Sequence, residues 1–100
     1  MSIPAIGIDL DSIEFSCPDF FAHLTSRWEG KVYGLSARTD CKEVFQKCQD
    51  SGLVFDMIYT HLFEMDAKIQ KIEELGISVY FDEMSGKPIS SKCSVYSRIQ

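Results

Sequence analysis

The sequence predicts an α/β domain: a three-layer α/β/α arrangement around an open, mostly parallel sheet of four to five strands. Two observations point there. Short apolar runs alternate with stretches whose apolar residues recur at helical spacing, giving β-α-β-α-β-α-β along the chain. The connections between successive runs are also long enough for crossovers, which parallel strands need and hairpins do not.

The first run, Ile6 to Leu10, is apolar throughout and ends in acid, the pattern of a strand buried on both faces. Pro18 then stands where a first helical residue belongs. Phe21, Leu24 and Trp28 follow at helical spacing, so residues 18 to 28 form a helix closed by Gly30, and its phenylalanines, with Phe15 and Phe20, belong to the core. Lys31 to Leu35 is the second strand, in which Gly34 allows a close backbone approach. Asp40 and Glu43 make a D-x-x-E capping box for a second helix, whose face carries Cys41, Val44, Phe45 and Cys48 and which stops at Gly52. Phe55 to Tyr59 is the third strand. Asp66 to Leu75 is the third helix, with Met65, Ile69, Ile72 and Leu75 inward and Gly76 as its stop. Ile77 to Phe81 is the fourth strand, 84 to 92 a loop, and Ser94 to Ile99 a fifth strand.

One hundred residues make a single domain, 1–100, with no room for a second. A net charge of −5 argues against a nucleic-acid partner, whereas an acidic domain can hold a divalent cation, and through it a phosphate. The cysteines, Cys17, Cys41, Cys48 and Cys93, show no C-x-x-C pair and no zinc spacing, so buried thiols in a reducing compartment are expected. The first residues lack a basic segment followed by a long apolar stretch, and no run reaches the length of a membrane span. The expected location is the cytoplasm.

In open parallel sheets, ligands gather beyond the carboxyl ends of the strands, near the point where strand order reverses. Asp9 and Asp11 close the first strand, Ser36 and then Arg38 follow the second, and Asp82 and Glu83 follow the fourth. Lys68 lies near the start of the third helix. Singly, each has an ordinary explanation: an Asp at a strand end forms turns, a Ser caps, and a Lys on an amphipathic helix is solvated. Their order along the chain is what sets them apart. His61 follows the third strand at the same edge, and His23 belongs to the surface or a satisfied core.

Ile6-Gly7-Ile8-Asp9-Leu10-Asp11 is an apolar strand ending in D-x-D, and Leu35-Ser36-Ala37-Arg38 is an apolar strand ending in Ser. Lys68 lies eight residues before Gly76, and Val79-Tyr80-Phe81-Asp82-Glu83 is an apolar strand ending in paired acids. This ordered set resembles the four motifs of the haloacid dehalogenase superfamily, over roughly residues 5 to 88. The resemblance implies a Rossmann-like core and a magnesium-dependent phosphatase working through an aspartyl-phosphate. It implies that Asp9 is the nucleophile and Asp11 the general acid and base. It further implies that Ser36 and Lys68 bind the phosphate, and that Asp9, the Asp11 carbonyl and Asp82 hold Mg2+. No segment is long enough for a cap domain, so the site is expected to be an open depression. That suits a large phosphorylated substrate, or a neighbouring subunit of a homo-oligomer acting as a lid.

The chain departs from the family where Ser12 and Ile13 replace a usual Gly and Thr or Val, and where Glu83 replaces a more frequent Asp. These departures keep a second reading open, a non-catalytic relative that serves as a binding or scaffold domain. A receiver-like signalling domain fits less well, because the third strand ends in Tyr59-Thr60-His61 with no acceptor Asp.

Overall fold

A computed structural model of the chain describes residues 3–10, 18–81 and 94–96. The strands are β1 (Ala5–Asp9), β2 (Val32–Leu35), β3 (Met57–Tyr59), β4 (Ile77–Phe81) and β5 (Ser94–Tyr96). The helices are α1 (Pro18–Arg27), α2 (Cys41–Asp50) and α3 (Met65–Leu75). One sheet contains all five strands in the order β3-β2-β1-β4-β5, and every neighbouring pair is parallel. From β1 the chain works outward through β2 to β3, then returns through α3 to place β4 on the other side of β1. Strand order therefore reverses between β1 and β4. Among the described residues no helix is long and apolar enough to cross a membrane.

The two-residue period of the central strands divides the core. Ile8 and Leu10 pack with Phe21 of α1 and with Val44 and Cys48 of α2. Leu35, Ile77 and Tyr80 pack instead with Leu62 and with Ile72 of α3. Asp9, one residue out of phase with Ile8 and Leu10, pairs with a side chain of α3.

Local chemistry sets the element ends. Asp56 takes the Val32 N–H on its carboxylate at 2.7 Å, while its own N–H donates to the Val32 carbonyl at 2.8 Å. The β2–β3 ladder thus starts after Asp56, and β3 begins at Met57 rather than Phe55. The Trp28 indole donates to the Pro4 carbonyl at 2.9 Å, tying the end of α1 to the entry of β1. Buried Thr25 accepts the Val54 N–H at 3.0 Å and so fixes the approach to β3. Gly76 ends α3 in the left-handed conformation, φ 66°, as predicted.

Several expectations need correction. Asp40 caps α2 by accepting the Glu43 N–H at 3.0 Å, but the Glu43 carboxylate pairs with Lys47 at 3.2 Å, so only half of the capping box forms. Val44 and Cys48 are buried, whereas Phe45 and Cys41 are exposed. Phe45 follows Val44 by one residue, about 100° around the helix, and falls off the buried stripe. Phe20 is exposed for the same reason and packs edge-on against buried Phe21, with ring centroids 5.0 Å apart. Cys17, Cys93, Phe15, the 84–92 loop and the last residues of the predicted fifth strand lie outside the described residues.

Gly34 is required by a side chain rather than by backbone. A Cβ there would lie 2.7 Å from Leu10 Cδ1 and 3.2 Å from Leu10 Cγ, inside the cluster that joins β1 to α1 and α2. Gly34→Ala should therefore destabilise the chain by about 1–3 kcal/mol through overpacking. The double variant Gly34→Ala/Leu10→Val should recover part of that loss, measured by urea unfolding. Strict additivity of the two changes would show that Leu10 is not what the glycine accommodates.

Candidate active site

The reversal of strand order between β1 and β4 opens the carboxyl edge of the sheet beside Asp9. Asp9 lies opposite Leu35 in the ladder, and Ile8 lies opposite Phe81 on the other side. The Leu10 N–H continues the pairing to the Leu35 carbonyl at 2.9 Å, holding the end of β1 in line. Asp9 is 5% exposed.

Its partner comes from α3. Lys68 Nζ donates to Asp9 Oδ1 at 3.2 Å, and Lys68 itself is 8% exposed. An ordinary lysine on an amphipathic helix is solvated, whereas Lys68 is buried against the sheet. The pair spans fifty-nine residues of sequence and joins the central strand to the crossover helix.

Ser36 stands one residue beyond β2 and is fully buried. Its N–H donates to the Tyr59 carbonyl at 2.9 Å, and its carbonyl accepts the Leu62 N–H at 3.0 Å. The Ser36 hydroxyl accepts the Arg38 N–H at 3.0 Å, a local side-chain bond that shapes the turn after β2. The Arg38 carbonyl accepts the His61 N–H at 2.9 Å. The turns after β2 and β3 are thereby stapled together at the same edge as Asp9.

Of the predicted site residues, Asp9, Ser36 and Lys68 are described, and the structure brings Asp9 and Lys68 into contact. Asp11, Asp82, Glu83, Ser12 and Ile13 lie outside the described residues. Among the described residues no three His, Cys, Asp or Glu side chains gather as a metal site, Asp9 being the predicted ligand that falls within them. The expected open depression is not what Asp9 and Ser36 occupy, since both are buried, with the Lys68 side chain against the Asp9 carboxylate.

Sequence reasoning missed one group at this edge. Thr60 Oγ1 lies 3.1 Å from Cys41 Sγ and 2.8 Å from His61 Nδ1, joining the start of α2 to the turn after β3. No spacing signal connects Cys41 to Thr60. Comparison with protein-family models, curated proteins and solved structures gives no match to the chain.

Removing one member of a buried ion pair is costly, so Lys68→Met should destabilise the chain by about 3–5 kcal/mol. Asp9→Leu/Lys68→Met, which removes both charges, should be less destabilised than Lys68→Met alone. Urea denaturation decides this: a double variant that loses the sum of the two single effects would mean that the ions do not compensate each other.

Proposed function

We propose that the chain is a magnesium-dependent phosphohydrolase of the haloacid-dehalogenase type, a three-layer, capless domain that works through an aspartyl-phosphate on Asp9. The observation that carries this reading is the buried Asp9–Lys68 pair at the point where strand order reverses. A core does not need such a pair for stability, because well-packed apolar residues commonly do as well or better. Ionisable groups buried where ligands gather are instead candidates for chemistry. Ser36, a hydroxyl at the end of the adjacent strand, completes a set suited to a phosphoryl group.

The donor chemistry suits magnesium, which prefers carboxylate and carbonyl oxygens. Asp9 supplies a carboxylate, Asp11 follows two residues later, and Asp82 directly follows Phe81, the residue opposite Ile8. The Asp9 and Asp82 carboxylates and the Asp11 backbone carbonyl would hold the ion, whose charge offsets the repulsion between these acids and a phosphate dianion.

Asp9 attacks phosphorus as the bond to the ester oxygen breaks, and Asp11 gives that oxygen a proton. Water then attacks the aspartyl-phosphate while Asp11 takes its proton, releasing phosphate and restoring Asp9. The Ser36 hydroxyl donates to a phosphoryl oxygen. Lys68 holds the Asp9 carboxylate in line through its 3.2 Å contact, and offsets the charge of the transferring group. Alignment and charge neutralisation supply most of the catalysis in this chemistry. Exclusion of water from Asp9 strengthens both. The substrate is a phosphorylated molecule in the cytoplasm. A large one, or a second copy of the chain, would cover the edge that no cap protects.

Hydrolysis of an aryl phosphate should require magnesium. Asp9→Asn should fall to background, and Asp11→Asn should lose about 10²–10⁴-fold. Wild-type turnover by Asp9→Asn would exclude the covalent route. A folded wild-type chain inert toward every phosphate ester tried would leave the binding or scaffold reading in its place.

A further inference from the structure

A second chemical group lies at the same edge of the sheet and plays no part in the phosphoryl site. Cys41 is exposed at the first position of α2. Its thiol donates to the Thr39 carbonyl at 3.9 Å and lies 3.1 Å from Thr60 Oγ1, a contact in which either atom can donate. The shorter contact is to Thr60, whose hydroxyl also lies 2.8 Å from His61 Nδ1. A hydroxyl both donates and accepts, and neutral imidazole has one bare nitrogen. The two contacts leave the donor at each open, and one arrangement they allow is a chain that runs from S–H through O–H to N.

His61 is held in this position by its backbone. Its φ is 65°, while the other positive-φ residues among those described are Gly52 and Gly76. A side chain in the left-handed region costs about 1–2 kcal/mol. The His61 N–H bond to Arg38 and the Leu62 N–H bond to Ser36 fix the turn, and the imidazole packs edge-on against Phe63 with ring centroids 5.9 Å apart. Of the acids at the start of α2, the N-cap Asp40 accepts the Glu43 N–H and Glu43 pairs with Lys47.

We propose that Cys41, Thr60 and His61 form a primed thiol, a modification site at which Cys41 is attacked by soft carbon electrophiles while His61 takes its proton through Thr60. In that step the sulfur–carbon bond forms as the carbon–halide bond breaks, and halide leaves as the anion. The thiol proton passes to Thr60 Oγ1 as the Thr60 proton passes to His61 Nδ1. The product is a thioether beside an imidazolium. Thiols are weak nucleophiles until a base removes the proton, and a base within a hydrogen-bonded chain of the sulfur meets that need. The site is independent of the phosphohydrolase reading.

Iodoacetamide is the probe, applied to the intact chain at pH 7, with alkylation of each cysteine followed by peptide mass mapping. Cys41 should react about tenfold faster in the folded chain than in the same chain unfolded in urea, a modest share of what general-base assistance provides. Thr60→Val and His61→Gly should each abolish that excess, and Thr60→Ser should retain it. His61→Gly suits the left-handed backbone and keeps the fold, and protection of buried Cys48 verifies folding in every variant. Folded Cys41 reacting no faster than unfolded, or keeping its rate in folded Thr60→Val or His61→Gly, would overturn the relay.

Discussion

The Asp9–Lys68 contact is the constraint around which the rest of the structure is arranged. It joins the central strand to the crossover helix across most of the chain length, and it does so in the interior. Two opposite charges taken out of water gain from each other only when their geometry is held, because their mutual attraction must offset a desolvation penalty of several kcal/mol per ion. The fold holds that geometry from both sides. β2 and β4 clamp β1 through parallel ladders, and Ile72, one turn along α3 from Lys68, anchors the helix in the Leu35–Ile77–Tyr80 cluster. Loss of that packing would free the lysine to reach solvent and remove it from the Asp9 carboxylate.

The same arrangement explains why the polar groups of the candidate site gather on one edge. Parallel strands deliver all their carboxyl ends to one side of the sheet, and reversal of strand order keeps the loops beside β1 from covering one another. Here the turns after β2 and β3 are bound by three backbone hydrogen bonds, Ser36 to Tyr59, Leu62 to Ser36 and His61 to Arg38. The segments that carry Ser36, Arg38, Thr60 and His61 are therefore joined along one rim rather than standing as separate loops.

Much of the fold was legible because its signals are local and repeated. The apolar runs located all five strands, Pro18 and Gly76 marked helix ends, and the crossover lengths implied the parallel sheet. Boundaries shifted where a side chain took over backbone pairing, as Asp56 does before β3. Helix faces were misread at Phe20 and Phe45, because hydrophobic character alone does not place a residue on the buried stripe, while Cys41 is exposed at the first position of α2 although it shares the stripe of Val44 and Cys48. At the site, the order of Asp9, Ser36 and Lys68 was readable, but the burial of Lys68 was not. A lysine on an amphipathic helix carries no mark of what waits in the sheet beneath it. The Cys41–Thr60–His61 chain was illegible for the same reason, being made by two turns that meet only in space.

The central claim is that Asp9 accepts a phosphoryl group at the point where strand order reverses. Trifluoroberyllate mimics that group by bonding to a carboxylate oxygen, and fluorine NMR reads the adduct directly in the presence of magnesium. The account predicts bound-fluorine resonances for the wild-type chain that require magnesium and vanish in Asp9→Asn. Bound resonances that persist in Asp9→Asn, or none from a folded wild-type chain with saturating magnesium and beryllofluoride, would contradict it.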